Sequence, residues 1–184
     1  MTHLLALSGS LRAASSNTAL LATLAELAPP GVTVTLHPIG DLPLYNDDLS
    51  GDALAPVERL KAAIAAADGL VIATPEYNYG VPGPLKNALD WASRPGYRSV
   101  FVGKPTAILG ASAGGSGAVR AQGQLKQVML GMLAQVFPWP EVAVTHAGGK
   151  ISDGRVSDAA TREHLARFVT AFSAWAPAVP PLAR

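Results

Sequence analysis

Cysteine is absent from all 184 residues. Its absence excludes disulfides, thiolate nucleophiles and cysteine-based zinc or iron–sulfur sites. Any redox chemistry must then come from a bound cofactor. Charge is scarce as well. Only 15% of residues are Asp, Glu, Lys or Arg, and 14 cations against 13 anions leave a formal net charge of +1. No global field draws such a chain to nucleic acid or to a membrane surface. Its Lys and Arg residues are scattered, as solvated surface residues are. No apolar stretch is long enough to span a bilayer. The N-terminus runs straight into the apolar segment Leu4–Leu7, with neither a basic region nor a cleavage site. The expectation is a soluble, cytoplasmic protein without nucleic-acid or membrane partners. His3, His37, His146 and His164 lack ligand spacing, and Asp47-Asp48 has no partners, so no metal is assigned.

What is plentiful is apolar material, 49% of the chain, enough for the core of one domain. Short apolar runs alternate with amphipathic segments. Residues 3–7, 32–36, 69–74, 105–110 and 141–145 read as strands. Residues 17–28, a segment carrying Val57, Leu60, Ile64 and Ala67, and residues 84–93, 117–136 and 159–176 read as helices. Ser15, Ser16 or Asn17 can cap the first helix, and Pro56 suits the first turn of the second. One domain over residues 1–176 and a frayed tail over 177–184 are expected. Five strands alternating with five helices imply an α/β fold, a parallel sheet with helices on both faces. Ligands bind such sheets beyond the carboxyl ends of the strands, where strand order reverses. The loops after the first, third and fourth strands are therefore the places to look.

The first loop, Ser8-Gly9-Ser10-Leu11-Arg12-Ala13-Ala14-Ser15-Ser16-Asn17, leaves a strand and enters a helix. A helix N-terminus offers free N–H groups and partial positive charge to a phosphate. Ser10, Ser15 and Asn17 add neutral donors, and Arg12 adds a charged fork. Neither G-x-G-x-x-G nor G-x-x-x-x-G-K-[ST] is present, so a single phosphate fits better than a dinucleotide or a triphosphate. The plain alternative is a strand–helix loop whose serines only cap. The third loop begins Thr74-Pro75-Glu76-Tyr77-Asn78-Tyr79-Gly80. Its tyrosines can wall a flat heterocycle and its backbone can read the polar edge. The plain alternative is a turn carrying ordinary surface tyrosines.

Together, Gly9-Ser10-Leu11-Arg12, Ser15-x-Asn17 and Pro75-Glu76-Tyr77-Asn78-Tyr79-x-x-Pro82-x-x-Leu85-Lys86-Asn87-x-x-Asp90-Trp91 resemble the NADPH-dependent FMN reductase family. The similarity is greatest to its quinone, chromate and azo reductases and runs from about Leu4 to Trp175. It implies a flavodoxin-like three-layer sandwich with strand order 2-1-3-4-5. It implies that Ser10, Leu11, Arg12, Ser15, Ser16 and Asn17 hold the FMN phosphate. Pro75, Glu76, Tyr77, Asn78 and Tyr79 would border the ring, partly through backbone atoms, and Ser112 and Gly114 would lie near it. Lys86, Asn87 and Asp90 belong to the same pattern and read first as scaffold. The implied reaction is hydride transfer from NADPH or NADH to FMN, then two-electron delivery to quinones, azo compounds, chromate or free flavin. Donor and acceptor would use one open flavin face in turn, giving ping-pong kinetics. Family members are usually homodimers or homotetramers. Arg120 and Glu141 match positions that join subunits in the chromate-reductase-like relatives, but Gly123 stands where those relatives carry an aromatic. A homodimer is the preferred expectation, with a homotetramer as the alternative.

Two rival readings are weighed. Gly110-Ala111-Ser112-Ala113-Gly114 fits G-x-S-x-G, and Asp153 or Asp158 followed by His164 would supply the chain order of a serine esterase. The motif arises easily among 18 glycines, no HGGG-like segment accompanies it, and the other two loops would be left without a role. A flavodoxin-type electron carrier is the second rival. Such carriers are usually strongly acidic, which a net charge of +1 does not match.

Overall fold

A computed structural model describes residues 1–180 and 182. Its central sheet contains β1 (Thr2–Ser8), β2 (Val32–His37), β3 (Gly69–Thr74) and β4 (Pro105–Ala111), all parallel. The fifth strand position is filled in two pieces, β5 (Gln135–Val136) and β6 (Val142–Val144). β5 pairs with Pro105–Thr106 and β6 with Leu109–Ala111. Strand order is therefore 2-1-3-4-5, as expected. Pro138 and Pro140 lie in the gap between the pieces; without N–H groups they cannot continue a ladder.

The uniformly apolar strands are buried on both faces, and the period of two sorts their side chains. Leu4, Ala6, Val71, Ala73, Ala107 and Leu109 pack on one face, against Leu20, Leu24, Phe168 and Phe172. Those partners come from α1 (Ser16–Leu27) and α5 (Ala159–Trp175). Leu5, Leu7, Leu70, Ile72 and Ile108 pack on the other face. There they meet α2 (Ala55–Ala66), α3 (Gly83–Ala92) and α4 (Val119–Gly131) through Leu60, Ile64, Leu85, Leu89, Leu125 and Met129. Among the described residues, no helix is long and apolar enough to cross a membrane.

Two local expectations differ from the structure. The fourth helix stops at Gly131, not at 136: Leu133 turns left-handed (φ 63°) and Ala134 N–H reaches back to the Met129 carbonyl at 3.0 Å. That reversal is a left-handed helix cap, and it frees the next residues to pair with β4. A small antiparallel hairpin, β7 (Ile151–Ser152) and β8 (Arg155–Val156), forms where only loop is expected. Its turn is Asp153-Gly154, both left-handed, a pair that favours tight hairpins. It docks on α1 through a 2.9 Å bond from Val156 N–H to the Thr23 hydroxyl. At the C-terminal end residues 176–178 form a 3-10 turn and the Pro180 carbonyl accepts from Gln135 Nε2 at 2.8 Å. Residues 181, 183 and 184 of the expected tail lie outside the described residues.

Gly110, in β4, lies close against β3 and the residue that precedes α4. A Cβ there would stand 2.7 Å from the Thr74 carbonyl oxygen and 3.0 Å from Ala118 Cβ. Both neighbours are fixed, so Gly110→Ala should destabilise the fold by about 1–3 kcal/mol, as overpacking does. Urea denaturation measures this, with the midpoint falling and the slope unchanged.

Candidate functional site

The carboxyl ends of β1, β3 and β4 lie side by side, and their loops enclose an open cleft of about 200 Å³. On one side is the start of α1. Ser15 is the residue that caps it, its hydroxyl accepting from Thr18 N–H at 3.2 Å. Ser16 opens the helix, with its first-turn amides at the cleft. Asn17 also bonds across the cleft within the chain. It is 3% exposed, and its amide donates to the Ala111 carbonyl (3.2 Å) and accepts from Ala111 N–H (2.9 Å). That clamp ties α1 to the end of β4. Arg12 is exposed and folds back on its own loop, donating to the Ala14 carbonyl at 2.6 Å. Gly9 lets this loop pass the third one, since a Cβ would sit 3.0 Å from Pro75 and 3.1 Å from Leu85.

The third loop makes the opposite wall. Tyr77 and Gly80 exchange backbone hydrogen bonds of 3.1 and 3.0 Å across a two-residue turn. Asn78 (φ 49°) and Tyr79 (φ 68°) occupy that turn in left-handed conformations. Such turns usually give the second position to glycine, and a left-handed side-chain-bearing residue costs on the order of 1–2 kcal/mol. Tyr77 and Tyr79 are 50% and 68% exposed. The Glu76 carboxylate turns toward the start of α4. Its side chain is 6% exposed and accepts from Arg120 Nε (2.8 Å), Arg120 N–H (3.0 Å) and Ala121 N–H (3.3 Å). α4 has no side-chain cap of its own, so Glu76 caps it from a distant loop, where helix polarity favours an anion. Burial pushes the Glu76 pKa up. The Arg120 bond, the two amides and the Arg120 charge outweigh burial and hold it below its ordinary value of 4.5.

The scaffold reading of α3 is specific in its contacts. Lys86 pairs with Asp90 at 2.7 Å. Asn87 donates to the Pro43 carbonyl and accepts from Tyr45 N–H, and Trp91 Nε1 donates to the same carbonyl. These bonds fasten the irregular 43–45 segment over the helix.

The esterase reading fails on geometry. The Ser112 hydroxyl donates to the Gly114 carbonyl (2.9 Å) and accepts from Gly117 N–H (2.9 Å), with Ser116 its third neighbour. No histidine is among these partners, so no base is placed to activate the hydroxyl. Gly110 is present for packing against Thr74 and Ala118, not for a nucleophile elbow.

Of the expected residues, Ser10, Arg12, Ser15, Ser16 and Asn17 line the cleft, together with Pro75, Glu76, Tyr77 and Ser112. Leu11 lies outside it, exposed and beside Gly40. Asn78 and Tyr79 form the exposed turn tip, and Gly114 accepts from Ser112 and His146. Ala111 and Ala113 line the cleft and were not expected. Alanine carries no chemical signal, and only their position around Ser112 pointed there. The two residues associated with subunit joining are engaged within the chain, Arg120 with Glu76 and Glu141 with Lys126 at 2.6 Å. Among the described residues, no three His, Asp or Glu side chains converge as a metal site would require.

A cleft at the strand-order reversal of a 2-1-3-4-5 sheet, with a helix N-terminus at one end and Tyr77 at the other, defines a flavodoxin-like α/β class. The family model for NADPH-dependent FMN reductase matches residues 2–149, and the chain belongs to that family. It is 44% identical to an NAD(P)H-dependent FMN reductase of Pseudomonas aeruginosa, over 93% of each chain. It is 41% identical to a quinone reductase of Escherichia coli, over 89% of each. Among solved structures it is similar to FerB, a flavoenzyme NAD(P)H:(acceptor) oxidoreductase from Paracoccus denitrificans. That match has a TM-score of 0.88 at 40% identity and covers 97% of this chain and 99% of that one.

The Glu76 cap has a pH signature. A carboxylate whose pKa is lowered on folding contributes stability above its unfolded value, and that stability is lost as pH falls through the folded value. Glu76→Gln should therefore cost about 1.5–3 kcal/mol at neutral pH, the range for hydrogen bonds to charged groups. The gap between wild type and variant should close as pH falls below 4.5. Urea titrations at neutral and acidic pH measure both quantities, and a gap constant with pH would contradict the assignment.

Proposed function

We propose that this protein binds FMN in the cleft and catalyses NAD(P)H-dependent reduction of quinones and related small acceptors. One observation carries the reading: the first turn of α1, with Ser15, Ser16 and Arg12, lines the same cleft as Pro75 and Tyr77. The donor chemistry fits a flavin mononucleotide. Helix amides, serine hydroxyls and a guanidinium whose one side-chain bond among the described residues goes to a loop carbonyl suit a phosphate. Half-exposed Tyr77 and the neutral loop around Ser112 suit a flat ring.

In this reading Ser10, Arg12, Ser15 and Ser16 hold the phosphate. Arg12 exchanges its bond to Ala14 for one to the ligand. Asn17 keeps the two sides of the cleft in register, and Tyr77 walls the ring against water. When bound, FMN supplies the hydride acceptance from NAD(P)H and the two-electron delivery to the acceptor. Glu76, held ionised by Arg120, is not a proton donor at neutral pH, and the Ser112 hydroxyl is occupied within its own loop. An enzyme drawing on NAD(P)H would work in the cytoplasm, where that donor is maintained.

The assembly that fits best is a homodimer. Leu44 and Tyr97 are 84% and 77% exposed, and Arg94 lies 5.4 Å from the centre of the ring of Tyr45, the neighbour of Leu44 in sequence. Exposed apolar groups of this kind suit self-association. Arg120 and Glu141 are used internally, and no aromatic stands at Gly123 to extend a tetramer contact.

Purified protein reconstituted with FMN should oxidise NADPH or NADH rapidly when 1,4-benzoquinone is added. A rate no faster than that without protein would overturn the reading. Arg12→Ala should weaken FMN binding by about 1.5–3 kcal/mol, roughly tenfold to a hundredfold in dissociation constant, measured by fluorescence titration. An unchanged constant would remove Arg12 from the phosphate site.

A further inference from the structure

Arg120 lies outside the cleft and touches two separate parts of the wall that lines it. Its Nε and Nη2 atoms bind the Glu76 carboxylate, and its guanidinium carbon sits 3.9 Å from the centre of the Tyr79 ring. Glu76 lies at the start of the third loop and Tyr79 at its tip. One planar side chain thus grips the loop at two points three residues apart. A third tie lies one turn along the same helix, where Gln124 Oε1 accepts from Val81 N–H at 3.1 Å.

The grip is needed because the turn it holds is unfavourable by itself. Asn78 and Tyr79 are both left-handed, and tyrosine occupies the position that prefers glycine. Tyr79 is 68% exposed, so no core packing holds it. The Arg120 stack is the aromatic or cationic contact made by that ring. Strained backbone persists when its surroundings over-determine it, and such residues gather at functional sites. A freed Tyr79 would let the turn relax, and Tyr77, which lines the cleft, is paired through its backbone to Gly80 of the same turn.

We propose that Arg120 is a positioning residue: it stacks on Tyr79 and forks onto Glu76, holding the Tyr77–Gly80 turn as a fixed aromatic wall for the acceptor. The proposal rests on the reductase reading for the acceptor but not for the turn. It assigns Arg120 a role within one chain, where resemblance suggests one between subunits. Lysine cannot replace it fully: an ammonium can pair with Glu76, but it lacks the fork and the flat face.

Two measurements test it on the full-length protein. The first is amide hydrogen exchange without FMN. Arg120→Ala and Tyr79→Ala should each speed exchange at Gly80 and Val81 about tenfold, and leave the Ala111 amide, bonded to Asn17, unchanged. Arg120→Lys should fall between wild type and Arg120→Ala, which also shows that the fold tolerates substitution there. The second uses FMN-loaded protein and 1,4-benzoquinone. Arg120→Ala and Tyr79→Ala should each raise KM about fivefold, with kcat within about twofold, in the range of a stacked cation–aromatic contact. The double variant should be no worse than Arg120→Ala, because the stack on Tyr79 is already lost in that variant. Unchanged exchange at Gly80 and Val81, or KM effects that multiply in the double variant, would overturn the proposal. Should wild-type protein with FMN reduce no quinone, the reductase reading falls, and the exchange data still decide whether Arg120 holds the turn.

Discussion

The side-chain amide of Asn17 spans the point where strand order reverses. It binds both the N–H and the C=O of Ala111, at 2.9 and 3.2 Å, across 94 residues of sequence. An amide is the one uncharged side chain that can donate and accept in this paired way. Buried as it is, each unmade bond would cost the full desolvation of a polar group. The clamp therefore fixes the spacing between the start of α1 and the end of β4. The cleft exists between those two elements, and Ser15, Ser16 and Arg12 face Ser112 across a distance that Asn17 sets.

The two ends of the cleft use electrostatics differently. At the α1 end the helix amides and Arg12 carry uncompensated positive potential, which suits a phosphate. At the α4 end the comparable potential is already satisfied, because Glu76 supplies an anion from the third loop. Only one of two neighbouring helix N-termini is thus left open to a ligand. The compensated end carries exposed aromatics instead, so the cleft runs from a charged pole to a neutral, flat one. A molecule with a phosphate at one end and a heterocycle at the other matches that gradient.

Much of the frame was legible because its signals are local. Leu4–Leu7 and Leu70–Ala73 are apolar without alternation since both faces of those strands are covered. Ser15 caps α1, and Pro56 opens α2, as their chemistry suggests. Readings failed where a local signal met a nonlocal contact. The apolar rhythm through Val128, Met132 and Val136 continues past the helix end, and pairing of Gln135–Val136 with β4 overrides it. The G-x-S-x-G spacing is genuine in sequence and empty in space, because the hydroxyl is spent on its own loop. The Asp153-Gly154 pair carries a turn signal, but the two-residue strands beside it show no periodicity that would mark a hairpin.

Sequence alone determined the α/β alternation, the two loops that carry a phosphate and a ring signature, and the family, because burial period, capping chemistry and turn residues act over a few residues. Tertiary structure alone decided what each polar side chain is for. Asn17 became a clamp, Glu76 a helix cap, Arg120 a brace and Ser112 a loop tie, and every one of these depends on a partner far along the chain or on the fold of a turn. Cysteine's absence left any redox chemistry to a cofactor; which polar side chains are already paired within the chain was decided by contacts far apart in sequence. A hydrogen-bonding group has the same identity wherever it stands, and only its neighbours in space determine whether it is already satisfied.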